Sequence, residues 1–173
     1  MKKIFFLDRD GVINKEIGYL HEIKKFEFID GIIDALLFIQ SKGFEIVIIT
    51  NQSGIGRGIY SLDKFLELNS WMLSYLASKK INILEVFYCS HSPSDNCICR
   101  KPKPGLFLNA KDKFDICMEQ SWSVGDKETD IQAAKSAGIK NTILVRSGHE
   151  IDEKNSKAKY IIESLSEIKN LRI

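Results

Sequence analysis

"KIFFLDRDGVIN", residues 3–14, begins with an apolar run that stops abruptly at Asp8-Arg9-Asp10-Gly11. A run so short, apolar at each position and closed by polar residues, reads as a strand buried in a sheet. The pattern returns at "FEIVIIT" (44–50), "ILEVFYC" (83–89), "SWSVG" (121–125) and "NTILV" (141–145). Helical spacing fills the intervals. "GIIDALLFIQSKG" puts Ile32, Ala35, Leu36 and Ile39 on one face, with Asp30 as the expected N-cap and Gly43 as the stop. A longer helix is expected after Ser61, burying Leu62, Phe65, Leu66, Met72, Leu73 and Leu76. Another starts near Pro104, and "TDIQAAKSAG" ends at Gly138. The tail "KYIIESLSEIKNL" reads as an edge strand and a closing helix. Strands that alternate with helices predict an α/β domain with a doubly wound parallel sheet. No linker, repeat or low-complexity tract interrupts residues 1–173, so one domain is expected.

Composition narrows the function. The chain has 173 residues, 44% hydrophobic and 28% charged, which suits a globular protein. Lysine and arginine number 25 against 23 acidic residues, so no global field draws a polyanion, and a nucleic-acid partner is not expected. No apolar run reaches the roughly 18 residues of a membrane span. The N-terminus lacks the apolar core of a signal peptide, because Asp8 interrupts it. A cytoplasmic protein follows, with no membrane partner. Nothing suggests an interface, so a monomer is expected.

Parallel sheets build sites beyond the carboxyl ends of their strands. Four such ends carry polar residues: Asp8 to Gly11, Thr50-Asn51, Arg100-Lys101, and Gly125-Asp126-Lys127. An Asp-x-Asp-Gly on its own is equally well a turn. Taken with the other ends it answers a specific need. A carboxylate attacking a phosphate repels it by roughly 4 kcal/mol per charge pair at ~4 Å and an effective dielectric of ~20. A divalent cation and a lysine offset that repulsion. Asp8, Asp10 and Asp126 make a magnesium set, Lys101 a point charge for the phosphoryl oxygens, and Thr50 a neutral donor.

At "FFLDRDGVIN", "IITN", Lys101 and "VGDKETD" the chain resembles the haloacid dehalogenase superfamily of phosphohydrolases. At "LDRDGVIN", "ITNQSGIGRG" and "CICRKPKPG" it looks like the branch that holds histidinol-phosphate and heptose-bisphosphate phosphatases. The resemblance implies a Rossmann-like fold of the dehalogenase type without a cap domain, and a magnesium-dependent phosphatase acting on a small phosphosugar. It implies Asp8 as nucleophile, Asp10 as acid and base, and Thr50 and Lys101 holding the transferring group. Magnesium would sit on Asp8, the Asp10 carbonyl and Asp126, with Asp130 steadying that side. Substrate contacts would come from Glu16, Ile17, Gly18 and Tyr19, from Thr50, Asn51, Gln52 and Ser53, and from Arg100, Lys101 and Lys127.

Cys89-x-His91 and Cys97-x-Cys99 form a Cys₃His set suited to a closed, structural zinc. Incidental buried thiols are the alternative, which clustering in a Pro-containing loop disfavours. Zinc there would anchor the basic run 100–104 as a phosphate clamp, and the family resemblance supports the same ligands. Cys117, Trp71 and Trp122 read as packing residues, and His21 and His149 as surface loop positions. Arg57 reads equally as a contact to a second phosphate or as a solvated turn. Competing functions are a histidinol-phosphate phosphatase, a more distant polynucleotide 3′-phosphatase, and a zinc-stabilised nucleic-acid module. The last leaves Asp8, Asp10 and Asp126 unexplained.

Overall fold

The computed structural model describes residues 1–173. Six strands, β1 (Ile4–Leu7), β2 (Glu45–Asn51), β3 (Ile83–Cys89), β4 (Trp122–Gly125), β5 (Asn141–Val145) and β6 (Tyr160–Ile162), form one sheet. Its order is β3-β2-β1-β4-β5-β6 and all five pairings are parallel. The chain starts at the centre, builds outward through β2 and β3, then returns to the other side of β1. That is the strand order of doubly wound dinucleotide-binding folds, and its reversal point lies between β1 and β4.

Pleating divides the strands between two cores. Phe5, Leu7, Ile46, Ile48, Val124 and Ile143 face α1 (Ile32–Ser41), α3 (Leu62–Ser78) and the closing turn through Leu165 and Ile168. Ile4, Phe6, Val47 and Ile49 face α4 (Gly105–Phe114) and α5 (Glu128–Ser136). Each fully buried side chain of this size contributes about 1.5–3 kcal/mol of transfer free energy. A one-turn helix, α2 (Ser53–Gly56), follows β2. No helix is long and apolar enough to cross a membrane.

Several expectations change. The N-cap of α1 is Gly31, not Asp30, because the chain enters at φ 77°, a left-handed conformation that glycine adopts at no steric cost. On α3, Leu62 and Leu66 are 41% and 43% exposed, whereas Leu68 is fully buried. At about 100° per residue, Phe65, Leu68, Met72 and Leu76 share one line, and Leu62 and Leu66 fall to its flank. The tail does form the edge strand β6, but its closing helix is a six-residue 3₁₀ segment, Leu165–Asn170. Trp122 is buried and stacks 5.7 Å from Phe5, Trp71 packs at the core margin, and Cys117 is half-buried.

Candidate active site

Because every strand runs the same way, the loops after β1 to β5 meet along one edge. Lys101 lies at the bottom, 4% exposed. Its Nζ is 2.6 Å from Asp130 Oδ1 and 3.1 Å from Asp8 Oδ1, and donates to the Ile49 carbonyl at 2.9 Å. Burial alone would push the lysine pKa down, but Asp130 and Asp8 hold it above the ordinary value. Burial pushes the Asp8 carboxyl well up, and Asp130, Asp126 and Asp10 add to the rise against the pull of Lys101. Asn51 grips the Lys101 backbone at both ends, accepting its N–H at 3.1 Å and donating to its carbonyl at 3.2 Å.

Asp10 is held by neighbours on two loops. Arg9 reaches both its oxygens at 3.0 Å, Asn14 donates to Oδ1 at 2.9 Å, and Gln52 donates to Oδ2 at 3.1 Å. Gln52 also donates to Thr50 Oγ1 at 2.8 Å and accepts from the Tyr60 hydroxyl at 2.5 Å. Burial pushes that phenol up to about 12, so it stays a donor. Arg9 is 1% exposed, lies 5.7 Å from the Phe65 ring, and keeps one nitrogen, Nη1, without a partner.

Two spaces open above this floor. An inner pocket of about 60 Å³ has no hydrophobic lining and touches Asp8, Asp10, Lys101, Asp126, Asp130 and His149. It continues into an outer cleft of about 420 Å³ with Glu16, Tyr19, Ser53, Arg57, Arg100 and Lys127 on its walls. Gly18, Asn51 and Gln52 also border it. Ile17 does not: the turn formed by Gly18 (φ 75°) and Tyr19 (φ 50°) leaves it 52% exposed outside the cleft. Thr50 is 1% exposed beneath the cleft, and the Gln52 amide is spent on Asp10, Thr50 and Tyr60. Ser53 and Lys127 remain open for contact.

His149 is the position that sequence reasoning misplaced. It is not a plain surface residue: its backbone N–H and Nδ1 reach Asp126 Oδ2 at 3.0 and 2.6 Å. The signal available was "VRSGH" following β5, a fifth strand end on the same edge. His21 stacks on Tyr60 with ring centroids 5.0 Å apart, so it too has a partner. Gly11 (φ 83°) and Gly148 press on the same carboxylate; a Cβ at either would collide with Asp126.

Two side-chain sets fit cations. Ligand oxygens of Asp8, Asp126 and Asp130 lie within 4.8 Å of one another. Both Asp130 oxygens are engaged, by Lys101 and by the Lys127 N–H, which leaves Asp8 and Asp126 the freer pair. In the loop after β3, Cys99 Sγ lies 3.2 Å from Cys89, 3.4 Å from Cys97 and 3.3 Å from His91 Nδ1. Sulfurs about 2.3 Å from one tetrahedral zinc stand roughly 3.8 Å apart, close to this packing. Burial pushes Cys89 up to about 12, so its thiolate needs a cation beside it. The loop is braced as well: Ser92 and Asp95 cap each other, and Lys103 donates to the Cys97 carbonyl at 2.8 Å.

Comparison with known proteins identifies relatives of this chain. A family model described as HAD-hydrolase-like matches residues 98–168. The D-glycero-beta-D-manno-heptose-1,7-bisphosphate 7-phosphatase of Pasteurella multocida is 45% identical over 99% of this chain and 97% of its own. The D-glycero-alpha-D-manno-heptose-1,7-bisphosphate 7-phosphatase of Photorhabdus laumondii subsp. laumondii is 45% identical over 90% and 89%. Among solved structures, D,D-heptose 1,7-bisphosphate phosphatase from B. bronchiseptica, complexed with magnesium and phosphate, superposes with a TM-score of 0.87. That match is 27% identical and covers 97% of this chain and 96% of the other. With identity at this level running through almost the whole chain, it belongs to the haloacid dehalogenase-like hydrolases, in the family of the heptose-bisphosphate phosphatases.

Proposed function

We propose that this protein is a phosphoric monoester hydrolase that removes the 7-phosphate of D-glycero-D-manno-heptose 1,7-bisphosphate through an aspartyl-phosphate on Asp8. The observation that carries the reading is the buried Asp8–Lys101–Asp130 bridge at the floor of a polar pocket. The relatives' names supply the substrate.

Lys101, held by Asp130, aims a fixed charge at the phosphoryl oxygens, and the Thr50 hydroxyl donates to another. Asp8 attacks phosphorus as the ester P–O bond breaks. The departing sugar oxygen takes its proton from Asp10. Water then attacks the aspartyl phosphate, Asp10 takes the water proton, and inorganic phosphate leaves with Asp8 restored. Asp8, the Asp10 carbonyl and Asp126 would hold magnesium. When bound, it supplies the positive charge that offsets repulsion between the Asp8 carboxylate and the phosphate. Glu16, Gly18, Tyr19, Ser53, Arg100 and Lys127 contact the sugar, and Gln52 serves through Thr50 and Asp10. Cys89, His91, Cys97 and Cys99 hold a structural zinc. Residues 1–173 work as one catalytic domain, a monomer in the reducing cytoplasm, where the four cysteines stay out of disulfides.

Phosphate release from heptose 1,7-bisphosphate and from histidinol phosphate tests the reading, with ³¹P NMR of the organic product. The expected product is heptose 1-phosphate. Faster release from histidinol phosphate, or retention of the 7-phosphate, would overturn the assignment.

A further inference from the structure

None of the catalytic roles above uses Tyr60, yet its hydroxyl reaches the floor of the site. The residue follows the turn after α2 and precedes Ser61, the N-cap of α3. Its ring is fixed from two sides. The His21 ring stacks on it with centroids 5.0 Å apart and planes 13° from parallel. Gly54 of α2 lies so close behind that a Cβ there would collide with the ring. Tyr60 is 7% exposed, and its hydroxyl donates to Gln52 Oε1 at 2.5 Å.

An amide side chain accepts at one end and donates at the other, and a half-turn about its last bond exchanges the two. With Oε1 taken by the phenol, Gln52 Nε2 donates to Thr50 Oγ1 at 2.8 Å and to Asp10 Oδ2 at 3.1 Å. Thr50 Oγ1 accepts from the amide and so keeps its own hydrogen for another acceptor. Turned over, the amide would set Oε1 against Thr50 and take that hydrogen, and Asp10 would lose an N–H. A buried phenol hydrogen favours the first sense, because it needs an oxygen opposite it. We propose that Tyr60 is a positioning residue for phosphoryl transfer, holding the Gln52 amide in the sense that frees the Thr50 hydroxyl for a phosphoryl oxygen and tethers Asp10 beside it. The proposal rests on the phosphatase reading and adds to it a residue that acts only through Gln52.

Tyr60→Phe removes the hydroxyl and keeps the ring. Gln52→Met removes both ends of the amide at matched length, so the space stays filled. Steady-state kinetics on heptose 1,7-bisphosphate, with wild type, the two single variants and the double variant, form the first arm. Tyr60→Phe is expected to lower kcat about three- to tenfold and leave KM within about twofold, since the amide serves the reacting phosphate and not the sugar. On the Gln52→Met background the same change is expected to cost less than about twofold further. An unchanged kcat in Tyr60→Phe overturns the proposal. So does a full loss repeated on the Gln52→Met background, because Tyr60 would then act through the fold and not through the amide. The second arm needs no turnover: ¹⁵N–¹H spectra of glutamine-labelled protein, with the Gln52 NH₂ pair identified by its disappearance in Gln52→Met. Tyr60→Phe should move or broaden that pair more than those of the other glutamines, and a pair left in place overturns the proposal. Wild type releasing phosphate from neither heptose 1,7-bisphosphate nor 4-nitrophenyl phosphate would instead sink the phosphatase reading, and the amide spectrum would still decide whether Tyr60 orients Gln52.

Discussion

Asp8 carries opposite demands in one side chain. Burial and three neighbouring carboxylates push its pKa well up, although Lys101 opposes them. A carboxyl raised in the fold contributes stability below its ordinary range, and loses it as pH climbs through the raised value. Asp8→Asn should therefore abolish turnover and yet raise the melting temperature of EDTA-treated protein at neutral pH. A gain on the order of 1 kcal/mol is a shift of about 2–4 °C for a chain of this size. The difference from wild type should shrink toward acid pH, and melting curves across pH with residual phosphatase activity check both halves. Asp10 gives a second expectation. Asp10→Asn should cost about 10²–10⁴-fold on the sugar ester and less on an aryl phosphate, whose leaving group needs less protonation. Equal losses on the two would leave Asp10 a purely positional role. Asp8 and Asp10 were readable from sequence because they directly follow the apolar run of β1, and Lys101 because it stands in the basic run right behind the cysteine pair. The Gln52–Tyr60 link was not, since nothing in a sequence shows that an amide between Thr50 and Ser53 turns inward.

At the scale of elements, the loop from Cys89 to Pro104 and the helix α3 are the informative cases. The loop must deliver Lys101 to Asp8 and Asp130, and Asn51 holds it there only at the Lys101 backbone. Cys97→Ser or Cys99→Ser should lose zinc by elemental analysis and loosen the loop, so that KM rises and kcat falls together. Brief EDTA treatment of wild type should stop catalysis reversibly, with magnesium restoring it while one zinc per chain stays bound. Cysteine variants that lose zinc and keep wild-type kinetics would remove the clamp. On α3, Leu68→Ala should cost about 2–5 kcal/mol in denaturant titration, and Leu66→Ala about 0.5 or less. Strand positions were legible because a short run apolar at every residue has few other readings. The face of α3 was less so: leucines at 62, 66, 68, 73 and 76 surround much of the helix, and only packing against the sheet chooses among them.

Across the whole molecule, the site is a meeting of five loops from strands far apart in sequence. The doubly wound sheet was legible from alternation alone. The contact of His149 with Asp126 was not, because it depends on how two loops stack once β5 lies beside β4. Gly148→Ala tests that stacking. A Cβ there meets the Asp126 carboxylate, so activity and magnesium affinity should fall more steeply than the melting temperature. The central place of β1 has another consequence, for the chain during synthesis. One edge of β1 pairs early with β2, but the other waits for β4, and the Ile4 N–H reaches Ser121 Oγ across 117 residues. Contacts of such long sequence separation form slowly. When a nascent chain has emerged only as far as Cys89, β1 through β3 have no partner on one edge, and the face with Ile4, Phe6, Val47 and Ile49 is uncovered. Until α4, β4 and α5 arrive, that half-built sheet is a sticky intermediate and a natural client for a chaperone.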